Sequence, residues 1–112
     1  MPRPQNELLH GTLDVLILKA LGDEAHHGYE IVRRVSSSTG GAVTIEDGSL
    51  YPALYRLEKK GQIRGKWGIS EAGRRARFYE LTDAGRKALI AQTDAWSKFA
   101  AGVSKLLLGE GQ

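Results

Sequence analysis

The stretch Asp47-Gly-Ser-Leu-Tyr-Pro-Ala-Leu-Tyr-Arg-Leu-Glu-Lys-Lys-Gly61 limits what this chain can become more than any other part of it. Read as a helix, it spaces Leu50, Leu54 and Leu57 at i, i+4 and i+7, a narrow apolar stripe for a core. Tyr51, Pro52, Tyr55, Arg56 and Lys59 then fall on the other side, where a surface helix ordinarily carries Glu and Lys. Asp47 and Ser49 are both suited to cap its start. Pro52 is tolerable only in or beside a first turn, and Gly61 closes the helix. Phenol hydroxyls, flat apolar rings and cations suit base edges, thymine methyls and phosphates. The helix over 47–60 therefore reads as a DNA-recognition helix.

The net charge is a modest +3, but it is unevenly spread. Between Arg56 and Arg77 stand eight cations (Arg56, Lys59, Lys60, Arg64, Lys66, Arg74, Arg75, Arg77) and two anions (Glu58, Glu71), a local balance of +6. The rest of the chain is slightly acidic. Such a directional field is the usual footprint of a polyanion-binding face. With 112 residues and 41% apolar content there is room for one domain with a small core, plus an extension. No window approaches the roughly 20 apolar residues of a membrane span. The first residues lack the apolar run and cleavage site of a signal peptide. The absence of cysteine removes disulfides, thiolate metal sites and thiol nucleophiles together. These features fit a cytoplasmic protein with no membrane partner.

Around the central helix the pattern is regular. Met1 to Glu7, polar with two prolines, is expected to fray. Leu8 to Leu21 reads as a strongly hydrophobic helix covered on more than one side, ended by Gly22-Asp23. His26-His27-Gly28-Tyr29 opens a second helix, with Tyr29, Ile31, Val32 and Val35 facing inward or toward its start; Ser36 to Gly41 stops it. Val43-Thr-Ile45 is a short β-prone connector. Ile63 to Trp67 and Arg77 to Leu81 read as two strands, the second with Phe78 and Leu81 among its apolar members. A flexible basic tip over 68–76 joins them, and Gly65, Gly68 and Gly73 look like its turns.

Thr82 caps a final helix running to about Leu108. Leu89, Trp96 and Val103 are seven apart, and Phe99, Ala100, Leu106 and Leu107 fill the seam between them. At 1.5 Å per residue the helix is roughly 40 Å long, more than a small domain covers by itself. Its seam calls for a partner helix, or for the first helix of its own chain. Trp96 and Phe99 together expose too much apolar area for a monomer. The fold class that follows is mainly α with a small β wing. A winged helix-turn-helix over 1–81 is followed by a C-terminal dimerisation helix over 82–112. The third helix enters the major groove, the start of the second grips a flanking phosphate, and the wing lies along the backbone or in an adjacent minor groove.

The runs His27-Gly-Tyr-Glu-Ile31, Gly48-Ser-Leu-Tyr-Pro-Ala-Leu-Tyr-Arg-Leu-Glu58, Gly61, Trp67, Gly73-Arg-Arg75, Phe78-Tyr79 and Leu81-Thr82 with Gly85 resemble the PadR family of bacterial transcriptional regulators. The resemblance spans Leu8 to about Leu107. It implies a homodimeric winged-helix repressor of double-stranded DNA, binding a two-fold-symmetric operator and pairing through a single C-terminal helix. It implies DNA contacts from Tyr29, Ser49, Tyr51, Pro52, Tyr55 and Arg56, and wing contacts from Lys66, Arg74, Arg75 and Arg77. Ser49 stands where threonine is common, and Phe78 where such proteins often carry tyrosine. The resemblance also implies a dimer seam of Leu89, Trp96, Phe99, Val103 and Leu106. Trp96 there either packs the dimer or meets a small planar aromatic effector.

No cofactor or metal site is expected. His10, His26 and His27 lack the i, i+4 spacing and cysteine partners of a zinc site. No Ser/His/Asp set with elbow glycines and no phosphate-binding glycine loop is present, so an enzyme is not expected. The alternative is a winged-helix interaction module whose basic wing docks an acidic protein.

Overall fold

A computed structural model describes residues 11–109. The expected fraying of Met1 to Glu7, and the expected start of the first helix at Leu8, lie outside the described residues; the described helix begins at Leu13 with Thr12 as its N-cap. In chain order the elements are α1 (Leu13–Leu21), β1 (His26–His27), α2 (Gly28–Ser38), α3 (Asp47–Lys59), β2 (Ile63–Ile69), β3 (Arg75–Leu81) and α4 (Asp83–Leu108). The helices pack on one another and on a three-stranded antiparallel sheet ordered β1-β3-β2. This is the winged-helix arrangement expected from the sequence, mainly α with a β wing.

One core joins α1, α2 and α3 to strands β2 and β3. Ile17, Leu18 and Leu21 of α1, Ile31 and Val35 of α2, and Leu50, Ala53, Leu54 and Leu57 of α3 are buried together with Ile63, Tyr79 and Leu81 of the sheet. The apolar stripe read along α3 is thus its core face. Full burial of a leucine contributes about 1.5–3 kcal/mol. Three of them outweigh the roughly 3 kcal/mol that a proline inside a helix costs. That margin matters, because α3 begins one turn earlier than its proline suggests. Glu46 is its N-cap and makes no side-chain cap bond, while Asp47, one of the two expected caps, is its first residue. Pro52 therefore sits in the second turn, leaving the Gly48 carbonyl without its helical donor. Gly48 is exposed, so water can satisfy that carbonyl.

Several boundaries differ from the sequence reading. His26 and His27 form a strand rather than the start of the second helix, pairing with Tyr79 and Phe78. Two residues carry no periodicity, so only the long-range pairing reveals them. Helix α2 runs on to Ser38, where Thr39 caps it. Ile45 is buried in irregular backbone, so its β-branched neighbourhood reflects burial and not a strand. The wing is longer than expected, with seven residues in each strand, so Gly65 and Gly68 lie inside β2. The turn is confined to 70–74, where Ser70 N–H donates to Arg74 O (2.8 Å) and Gly73 takes φ +77°. Gly68 serves packing, since a Cβ there would stand 3.1 Å from the Phe78 ring. Phe78 and Leu81 are an odd number of residues apart and point to opposite faces. Tyr79 and Leu81 enter the core, while the Phe78 ring meets His27 edge-on at 5.3 Å.

Helix α4 begins as expected. Thr82 is its N-cap and accepts from Gly85 N–H, and Gly109 ends it in the left-handed conformation. Ala88 and Leu89 pack against the core. Beyond them the helix stands off, and Phe99 and Leu106 are 70% and 84% exposed. Folding back onto α1 thus accounts for the first turns of the seam and not for the rest.

Candidate nucleic-acid interface

Helix α3 separates its two faces cleanly. Opposite the buried leucines lie exposed Ser49, Tyr51, Pro52, Tyr55, Arg56 and Lys59. Helical spacing puts Pro52, Tyr55 and Lys59 at the middle of this face, with the Lys59 ammonium 5.9 Å from the Tyr55 ring. Ser49 and Arg56 lie on one flank, Tyr51 and Glu58 on the other. The Arg56 flank meets α1, where its guanidinium donates to Asp14 at 2.8 Å. Neither Glu46 nor Glu58, both near it in sequence, takes that place.

The opposite flank meets the start of α2. Gly28, first residue of α2, is buried, and a Cβ on it would stand 2.8 Å from the Tyr51 hydroxyl. Tyr29 follows and is 74% exposed, so of the residues read as inward-facing or start-facing it alone points to solvent. Its ring lies 6.4 Å from that of His27. His27 caps α2, accepting from Glu30 N–H at 3.3 Å through Nδ1. The start of α2 is therefore partly satisfied by its own chain, and Glu30 in the first turn is itself held by Arg33. That hydrogen bond keeps the Glu30 carboxyl below its ordinary range.

The charge of the 56–77 segment is partly neutralised locally. Arg56 pairs with Asp14, Arg64 with Glu80 and Arg77 with Glu58. Lys59, Lys60, Lys66, Arg74 and Arg75 form no ion pair among the described residues. The register of the hairpin sets the faces of the wing: Lys66 is opposite Phe78, Trp67 opposite Arg77, and Ile69 opposite Arg75. Trp67, Ile69, Arg75 and Arg77 thus share one wing face, and Lys66 lies on the other. The Arg75 guanidinium sits 4.4 Å over the exposed Trp67 ring. Trp67 appeared in the sequence only as part of a motif; its role as a platform depends on cross-strand register, which a single strand does not display.

A flat, hydroxyl-bearing helix face beside a cationic hairpin defines a winged helix-turn-helix of the DNA-binding class. Residues 17–91 match the transcriptional regulator PadR-like family, and the chain belongs to that family. It is a DNA-binding transcriptional regulator, not an enzyme. A transcriptional regulator from Clostridium thermocellum superposes with a TM-score of 0.80 at 29% identity, over 90% of this chain and 98% of that one. A PadR-like transcriptional regulator from Bacillus cereus gives 0.76 at 28% identity, over 95% and 99%. An uncharacterised protein of Lysinibacillus sphaericus is 30% identical over 84% of this chain and 86% of its own length.

A second feature lies away from the wing. A groove of about 1040 Å³ runs between α1, the segment after α2 and α4, with Val15, Leu16, Val43, Leu89, Ile90 and Trp96 among its lining. Lys19 and Asp94 stand at it too. Trp96 is half-exposed there, so the seam residue is also a groove residue. Among the described residues no His/Cys/Asp/Glu group could hold a metal ion, and no helix is long and apolar enough to cross a membrane.

Proposed function

We propose that this regulator is a ligand-responsive homodimeric repressor, acting in the cytoplasm on a two-fold-symmetric operator. Residues 1–81 form its DNA-binding unit and 82–112 its pairing helix. Tyr51, Pro52 and Tyr55 face the major groove, with Ser49 and Arg56 at one side and Tyr29 at a flanking phosphate. Lys66, Arg74 and Arg75 follow the backbone from the wing. The observation that carries this reading is the solvent face of α3, where Tyr51, Pro52 and Tyr55 stand exposed on a helix whose other face is the core.

Pairing rests on α4. Trp96, Phe99, Val103 and Leu106 lie along a helix that its own chain leaves exposed. An apolar seam of this kind is covered by an identical seam in a two-fold dimer. The groove beside Trp96 suits a planar aromatic molecule, because its walls are apolar and its size is that of a small-molecule site.

A gel shift on the DNA upstream of the protein's own gene tests the reading. A shifted band that survives excess non-specific DNA is expected. Loss of the band under that competition, with retention of an acidic protein partner, would favour the interaction module that the five unpaired cations also fit.

A further inference from the structure

Arg77 differs from the other wing cations. Its Nη2 donates to Glu58 Oε2 at 2.6 Å, across from β3 to α3. Both side chains are about two-thirds shielded from water. The guanidinium also lies 5.7 Å from the Trp67 ring and 5.9 Å from the Tyr79 ring. It rests directly on Gly65: a Cβ at that position would be 2.6 Å from Arg77 Nε and 2.8 Å from Cζ. The bond to Glu58 raises the Arg77 pKa. Glycine inside a strand costs stability and calls for a reason. Here the reason is a bed for one arginine.

We propose that Arg77 is a positioning residue for DNA binding: clamped between Glu58, Gly65 and Trp67, it fixes the wing to the recognition helix and does not itself contact phosphate. This rests on the DNA-binding reading above and replaces the phosphate contact that the sequence suggested for Arg77. The physical case has two parts. A carboxylate on the DNA-facing flank of α3 repels phosphates unless it is neutralised, and Arg77 neutralises it. The pair then adds no net charge, so it releases no counterions on binding. Moving Arg77 onto a phosphate would leave Glu58 unpaired beside a polyanion. The same clamp bears on Arg75, whose guanidinium lies over the Trp67 ring that Arg77 also approaches.

The test is the affinity of the full-length protein for its upstream DNA over a range of salt concentrations. Glu58→Gln, Arg77→Gln, Gly65→Ala, the Glu58→Gln/Arg77→Gln double variant and Arg74→Gln are compared with the parent, with melting temperatures recorded for each. Arg74→Gln, at the wing tip, should flatten the salt dependence by about one unit of slope. Arg77→Gln should weaken binding several-fold with the slope of the parent. Glu58→Gln should also weaken binding, although it removes a negative charge from the DNA face. The double variant should lose no more than either single one. Gly65→Ala displaces Arg77 without altering any charge and should share the loss. Tighter binding by Glu58→Gln, or a slope lowered by Arg77→Gln as much as by Arg74→Gln, overturns the proposal while the parent still binds. A parent that does not bind removes the DNA-binding reading and this proposal with it.

Discussion

The backbone carbonyl oxygen of Gln62 occupies the space that a Cβ on Gly85 would need. The same carbonyl accepts from Thr82 N–H at 3.1 Å, and the Thr82 hydroxyl donates to Gly61 O. The root of α4 is thereby bolted to the end of α3 and the base of the wing. Gly85→Ala has no flexible side chain to push aside and meets main chain instead. It is expected to cost about 3 kcal/mol, the upper end for overpacking. Thermal unfolding measures this. Gly48→Ala, in open space on α3, is the control and should raise stability by about 0.5–1 kcal/mol.

Gly28 makes a different prediction. The nearest atom to a Cβ there is the Tyr51 hydroxyl, the far end of a side chain. Gly28→Ala should therefore swing Tyr51 out of place more than it unfolds the protein. Operator affinity is expected to fall about tenfold, equivalent to about 1.4 kcal/mol, with a small change in melting temperature. A large loss of stability with undiminished affinity per folded molecule would show that Tyr51 is packing only.

His26 gives a dependence on pH. Burial and, next, the Arg34 charge hold its imidazole below the ordinary value; His27 adds to this, while Glu24 and Glu30 oppose it. Its Nε2 is buried without a hydrogen-bond partner among the described residues. As pH falls, the unfolded chain takes up the proton first, so stability rises with pH across this range. The contribution is complete above about pH 6.5 and is lost as pH drops through the lowered folded-state value. The melting temperature of the parent should fall more between about pH 8 and about pH 5.5 than that of His26→Gln. Equal falls would show that His26 does not titrate on unfolding.

Trp96 stands at both the seam and the groove. Planar phenolic or cationic dyes should quench intrinsic fluorescence of the parent, and Trp96→Leu should abolish that quenching while the dimer persists. Trp67, the second of the two tryptophans, remains as a constant background. Unchanged quenching in the variant removes Trp96 from any ligand site. Loss of the dimer instead assigns it to packing.

Much of this was legible in the chain. The leucine spacing of α3, the Thr82 cap and the long final helix follow from period and capping chemistry, which are local. What was not legible depends on contacts between segments distant in sequence. The two-residue strand at His26 exists through Phe78 and Tyr79. Glycines 65 and 68 look like turn residues until the ring and guanidinium lying on them are known. Arg56 and Arg77 look like free cations until Asp14 and Glu58 are brought beside them by the fold. The solvent-facing position of the α3 tyrosines is legible because helical period alone sets it opposite Leu50, Leu54 and Leu57.

Hydroxyl-radical footprinting of the protein on the DNA upstream of its own gene, at low ionic strength, tests the central claim most directly. A pair of heads on one C-terminal seam should protect two symmetry-related half-sites separated by about 10 bp or a multiple of that. A single unpaired patch of protection, or none, would contradict a two-fold dimer reading DNA through α3.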